Sequence, residues 1–82
     1  MSQQSILKAM RRNVAKMSPH TCAIELKAAM QGAYHLERLE HDAAQRMAAC
    51  TCPTCSSEHW QVRQSQYNTR YYLKLLREKL KL

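Results

Sequence analysis

Cys50-Thr51-Cys52-Pro53-Thr54-Cys55-Ser56-Ser57-Glu58-His59 gathers three thiols and one imidazole within ten residues, between two segments of helical periodicity. Cys52 and Cys55 flank a Pro-containing turn that can point both sulfurs at one ion. His59, four residues after Cys55 in the first turn of a following helix, can reach back toward them, and Cys50 completes a tetrahedral Cys3His set for zinc, Zn2+. The Cys-x-Cys-x2-Cys-x3-His spacing is tighter than that of a C2H2 finger. A metal-tied turn at this point makes the flanking segments the arms of a helical hairpin.

The same cysteines have plainer readings: reduced thiols on a loop, or a labile disulfide. Cys52-Pro53-Thr54-Cys55 also resembles the dithiol of glutaredoxin-type oxidoreductases. That chemistry needs the pair at a strand-to-helix junction, and no strand pattern precedes it. An iron–sulfur cluster takes four thiolates. The fourth cysteine, Cys22, precedes Cys50 by 28 residues, which is roughly 42 Å along one helix at about 1.5 Å per residue. Cys22 is therefore excluded from any bridge or ion held at the turn.

With 82 residues the chain is one domain, near the size at which an apolar core alone barely suffices. A structural ion, a second copy, or both would supplement it. The chain has no Phe, one Trp and four Tyr, so aliphatic residues and Ala must carry the core. One Gly and two Pro leave little punctuation, which suits long helices and argues against many short strands. The expected fold is all-α: a short basic N-terminal helix over 1–17, a long helix over 18–49, a Cys-rich turn over 50–57 and a basic helix over 58–82.

The first of these segments places Ile6, Met10, Val14 and Met17 at spacings of four, four and three, with Ser5 as the cap. Ser18-Pro19 ends it and opens the next helix, because Pro disfavours helical backbone before it and suits a first turn. From there Cys22, Leu26, Ala29, Ala33, Leu36, Glu40, Ala43, Met47 and Cys50 alternate spacings of four and three. That is a coiled-coil seam, rich in Ala and interrupted by the charge of Glu40. Asp42 and Arg46 form a favourable i, i+4 pair, and Gly32 weakens the helix by roughly 1 kcal/mol relative to Ala.

Ser56 or Ser57 would cap the last helix, with Glu58 in its first turn. Trp60, Gln64, Tyr67 and Tyr71 form one stripe of this helix, and Leu73, Leu76 and Leu80 another. Helical spacing of this kind points to aromatics packed on the second helix. An antiparallel hairpin with arms of 40 to 47 Å at about 1.5 Å per residue encloses little core. A homodimer through the Ala-rich seam is the expected remedy.

Thirteen Lys and Arg against six Asp and Glu give a net charge of +7. The excess sits at both ends: Lys8, Arg11, Arg12 and Lys16 in the first segment, and Arg63, Arg70, Lys74, Arg77, Lys79 and Lys81 in the last. Such a distribution attracts a polyanion, nucleic acid above all, DNA before RNA. The candidate phosphate-binding residues are Lys8, Arg11, Arg12, Lys16, Arg63, Arg70, Lys74 and Arg77, with Gln61, Gln64, Gln66 and Asn68 as base readers. The alternative is a protein–protein adaptor or inhibitor whose helical surface takes an acidic protein partner. No Gly-rich phosphate loop, paired carboxylates or nucleophile–base pair argues for an enzyme. No apolar run has signal-peptide or membrane-span length, so the expected compartment is the cytoplasm, whose reducing conditions favour metal over disulfide.

Overall fold

The computed structural model describes residues 2–82. Those residues form three helices and no strand: α1 (Gln3–Lys16), α2 (Pro19–Ala49) and α3 (Pro53–Leu80). None of the helices is long and apolar enough to cross a membrane.

The helix starts differ from the sequence reading at two places. Ser2, not Ser5, caps α1: its hydroxyl accepts the Ser5 N–H at 3.2 Å. The additional turn is held from outside, because Gln3 hydrogen-bonds Gln64 and Asn68 of α3, and short helices persist only when docked. Ser18 caps α2 as expected, accepting from Thr21 N–H at 3.2 Å.

The start of α3 moves furthest. Cys52 is its N-cap and Pro53 occupies its first turn, so the Cys-rich turn contracts to residues 50–52, and Ser56, Ser57 and Glu58 lie inside the helix. Pro53 explains this. Its ring fixes the φ a first helical residue needs and drives Cys52 into extended backbone. Glu58 reaches Arg46 of α2 at 3.4 Å, and this cross-helix pair replaces the anticipated Asp42–Arg46 pair among the described residues. Both partners are about half exposed, so the pair contributes little to stability.

α2 and α3 lie antiparallel. Cys22 meets Leu76, Glu25 meets Tyr72, Leu36 meets Gln66, Glu40 meets His59, and Arg46 meets Glu58. On α2 the facing positions are those of the heptad seam: Cys22 and Ala43 are buried, and Leu26, Ala29, Ala33, Leu36 and Glu40 are half-buried. α3 answers with Cys55, His59, Val62, Gln66, Thr69, Leu73, Leu76 and Leu80, all buried or half-buried and again spaced by four and three. The seam of α2 thus packs against α3 of the same chain.

α1 runs alongside α3 in the same direction: Gln3 meets Gln64, Arg11 meets Tyr71, and Lys79 Nζ donates to the Ala15 carbonyl at 3.0 Å. The last contact satisfies a carbonyl left without a partner at the end of α1. The main core lies at this end of the molecule. Val14, Cys22 and Leu76 are buried there, with Met17, Leu26, Ala29, Tyr72, Leu75 and Leu80 packed around them. The thiol turn sits at the other end of a body measuring 45 × 25 × 14 Å, where only two helices meet.

Candidate metal centre and cationic face

Three cysteines reach the turn from different parts of the backbone. Cys50 is the C-cap of α2, its N–H bonded to the Arg46 carbonyl at 2.8 Å. Cys52 caps α3, and Cys55 lies in the first turn of that helix. Their sulfurs all fall within 4.8 Å of one another, and Cys52 and Cys55 are separated by 3.3 Å. Ligands at about 2.3 Å around a tetrahedral zinc stand about 3.8 Å apart. The observed sulfurs bracket that separation, so this group could hold a metal ion. No disulfide is formed.

Their electrostatics follow from the start of α3. The Cys55 N–H directed at the capping sulfur, and then the neighbouring Cys50 thiol, favour thiolate and bring Cys52 down to about 7. Cys55 is the partner that keeps the proton. Its bond to Cys52, then the Cys50 thiol, then burial push it up to about 12. One sulfur is thus prepared as a metal-ready thiolate at neutral pH, and its neighbour needs the charge of an ion to ionise.

His59 lies outside this group of sulfurs. It is half-buried on the seam one turn beyond Cys55, and its Nε2 is 3.2 Å from Glu40 Oε1. A carboxylate only accepts, so the Nε2–H of His59 is the donor in this contact. Glu40, the charge that interrupts the heptad pattern of α2, therefore has its partner on α3. Cys22 is fully buried at the far end, with its thiol donating to the Leu76 carbonyl at 3.5 Å. His41 hydrogen-bonds Gln45 on the surface of α2.

The second feature is the outer face of α3. Spacings of four and three carry Arg63, Tyr67, Arg70, Lys74 and Arg77 along one line, and every one of these side chains is exposed. Among the described residues the ion pairs are Arg46–Glu58 and His59–Glu40, so none of the cations on this line is ion-paired. Glu37 and Glu40 share a hollow with Arg63 and Arg70 without bonding either. On α1, Lys8, Arg11, Arg12 and Lys16 are all exposed. Arg11 extends the α3 line sideways, because its Nη2 donates to Tyr71 Oη at 2.7 Å, and Lys8 lines a separate hollow with Arg11 and Tyr71.

The α3 aromatic stripe is not core. Trp60 is 65% and Tyr67 55% exposed, while Tyr71 is half-buried and spent on Arg11. The face that packs on α2 is instead the line through His59, Val62, Gln66 and Thr69, whose polar members conceal its periodicity. Three of the four anticipated base readers are also engaged in packing. Gln64 and Asn68 bond Gln3, and Gln66 donates to the Leu36 carbonyl at 3.5 Å. Gln61 alone among them is exposed.

No protein family, curated relative or solved structure matches this chain. Its chemistry has to be read from its own residues.

Proposed function

We propose that this chain is a small zinc-stabilised helical regulator that binds nucleic acid through the outer face of α3 and the adjoining side of α1. The observation that carries this reading is the line Arg63, Arg70, Lys74 and Arg77, exposed, in no ion pair among the described residues, and widened by Arg11. Seven residues of helix rise about 10.5 Å, so Arg63, Arg70 and Arg77 spread positive charge over about 21 Å of one exposed face. Phosphate contacts from this face supply affinity and salt dependence, not sequence preference.

Zinc is the ion this reading assigns to Cys50, Cys52 and Cys55, with His59 Nδ1 as the fourth ligand and Glu40 orienting the ring from α2. A ligating imidazole characteristically gives its other N–H to a carboxylate, and the Glu40 contact already meets that requirement. The role of the ion is structural. It ties the end of α2 to the start of α3 where the apolar core is thinnest, and so keeps the α3 face rigid.

The salt dependence of binding tests the nucleic-acid reading. Neutralising about five phosphates of a duplex gives a log K against log salt slope of about −4.5. Alanine at Arg63, Arg70, Lys74 and Arg77 together flattens that slope by about 3.6. An unchanged slope, or no binding at low salt, overturns the assignment.

One observation favours a second reading as an adaptor for an acidic protein. Leu36, Leu39 and Val62 line an open groove beside the Arg46–Glu58 pair, a surface suited to a partner helix. Copurification with one protein at fixed stoichiometry, lost on Leu39→Asp, would identify that role.

A further inference from the structure

Trp60, Arg63, Tyr67 and Arg70 follow one another on the outer edge of α3, and none is required by the packing of the bundle. Trp60 and Tyr67 are 65% and 55% exposed, among the most exposed large apolar side chains of the molecule. Trp60, Arg63, Gln64 and Tyr67 line one open hollow of about 340 Å³, within the range of small-ligand sites. Leaving an indole and a phenol ring in water forgoes the burial energy that each would gain in a core. Their faces are instead presented beside two guanidinium groups.

We infer that this ridge is a stacking platform for unpaired nucleotides, so that the polyanion taken by the α3 face is single-stranded or looped nucleic acid. The inference rests on the nucleic-acid reading above and narrows its ligand. Trp60 and Tyr67 are seven residues apart, about 10.5 Å along the helix, and Arg63 lies between them. Bases stack on the rings while the guanidinium groups take phosphates. A paired base offers its face to its neighbours in the duplex, and an exposed ring on a helix reaches it only when the base is unstacked.

The single Trp of the chain makes the test direct, because Trp60 emission reports on this ridge alone. The full chain is titrated with a single-stranded oligonucleotide of about 15 nucleotides, within the site sizes of single-strand binders, with the duplex of the same sequence, and with polyglutamate. The single strand is expected to quench Trp60 saturably and to bind more tightly than the duplex. Trp60→Ala and Tyr67→Ala, followed by the anisotropy of a labelled strand, are each expected to lose about ten- to hundred-fold in single-strand affinity. Their salt slope and helicity should stay unchanged. Equal binding of single strand and duplex, without quenching and without loss in the two variants, overturns the stacking site while leaving the cationic face intact. Polyglutamate that quenches and binds as tightly as the oligonucleotide also overturns it. Absence of binding to either nucleic acid removes both readings.

Discussion

His59 Nε2 and Glu40 Oε1 stand 3.2 Å apart across the α2–α3 seam, an ionisable pair on a line that also carries Gln66 and Thr69 among its apolar positions. In a purely apolar seam this pair would only be a registration device, since an ionic position can fix which residues face each other. One turn from three clustered sulfurs, it would also orient the imidazole that the proposed zinc site needs. Glu40→Gln is expected to weaken zinc binding by about 10- to 100-fold, measured by competition with a chromophoric chelator. His59→Ala should change the ligand field of a cobalt substitute. Unaltered affinity and spectrum in both variants would show that the pair serves packing alone.

The four thiols should separate cleanly by reactivity. Cys22 is fully buried at the core end, whereas Cys50, Cys52 and Cys55 line the turn. Metal-free protein under native conditions is expected to expose three thiols to an alkylating reagent and to yield the fourth only on unfolding. Cys52, held to about 7, should react first near neutral pH, and Cys55, pushed up to about 12, should lag behind it. Peptide mapping of the labelled sites over time checks the order.

Two substitutions on opposite sides of the packing should move stability in opposite directions. Leu76 is fully buried, and Leu76→Ala removes its apolar volume from the α1–α2–α3 junction, a loss of about 2 to 5 kcal/mol. That is a large part of the stability of so small a domain. Gly32 is exposed in the middle of α2, and a Cβ there meets nothing within 4 Å. Gly32→Ala is therefore expected to stabilise by about 0.5 to 1 kcal/mol, through the lower backbone entropy lost on folding. Thermal melts monitored by helicity report both, and a destabilised Gly32→Ala would mean that a further contact uses the bare backbone.

Tyr72 introduces a pH dependence at the alkaline end. Burial first, then its hydrogen bond to Glu25 Oε2 at 3.0 Å, raise the phenol to about 12 in the folded chain, against about 10 when unfolded. A raised folded value favours the protonated form. The contribution is fully present below about pH 10 and is lost as pH rises from there toward 12. Melting temperature compared between the parent and Tyr72→Phe should converge across that window, with the Phe variant showing the shallower decline. Parallel curves would remove Tyr72 as the source.

The number and order of helices were legible in the chain, because Pro19, Pro53 and the four-three rhythm from Cys22 to Ala43 are local properties of sequence. The clustering of Cys50, Cys52 and Cys55 was equally legible, since five residues of separation leave the sulfurs little room to part. Tertiary structure alone decided what lies opposite what. It gave Glu40 its partner in His59, set α3 against the Ala-rich seam of α2, and turned Trp60 and Tyr67 outward. The physical reason is that a helix has several stripes of comparable periodicity. Aromatic residues make one conspicuous, but the face that is buried is the one whose side chains can also satisfy polar neighbours on the opposing helix. On α3 that face runs through His59, Gln66 and Thr69, and composition by itself gives those residues no apolar signature.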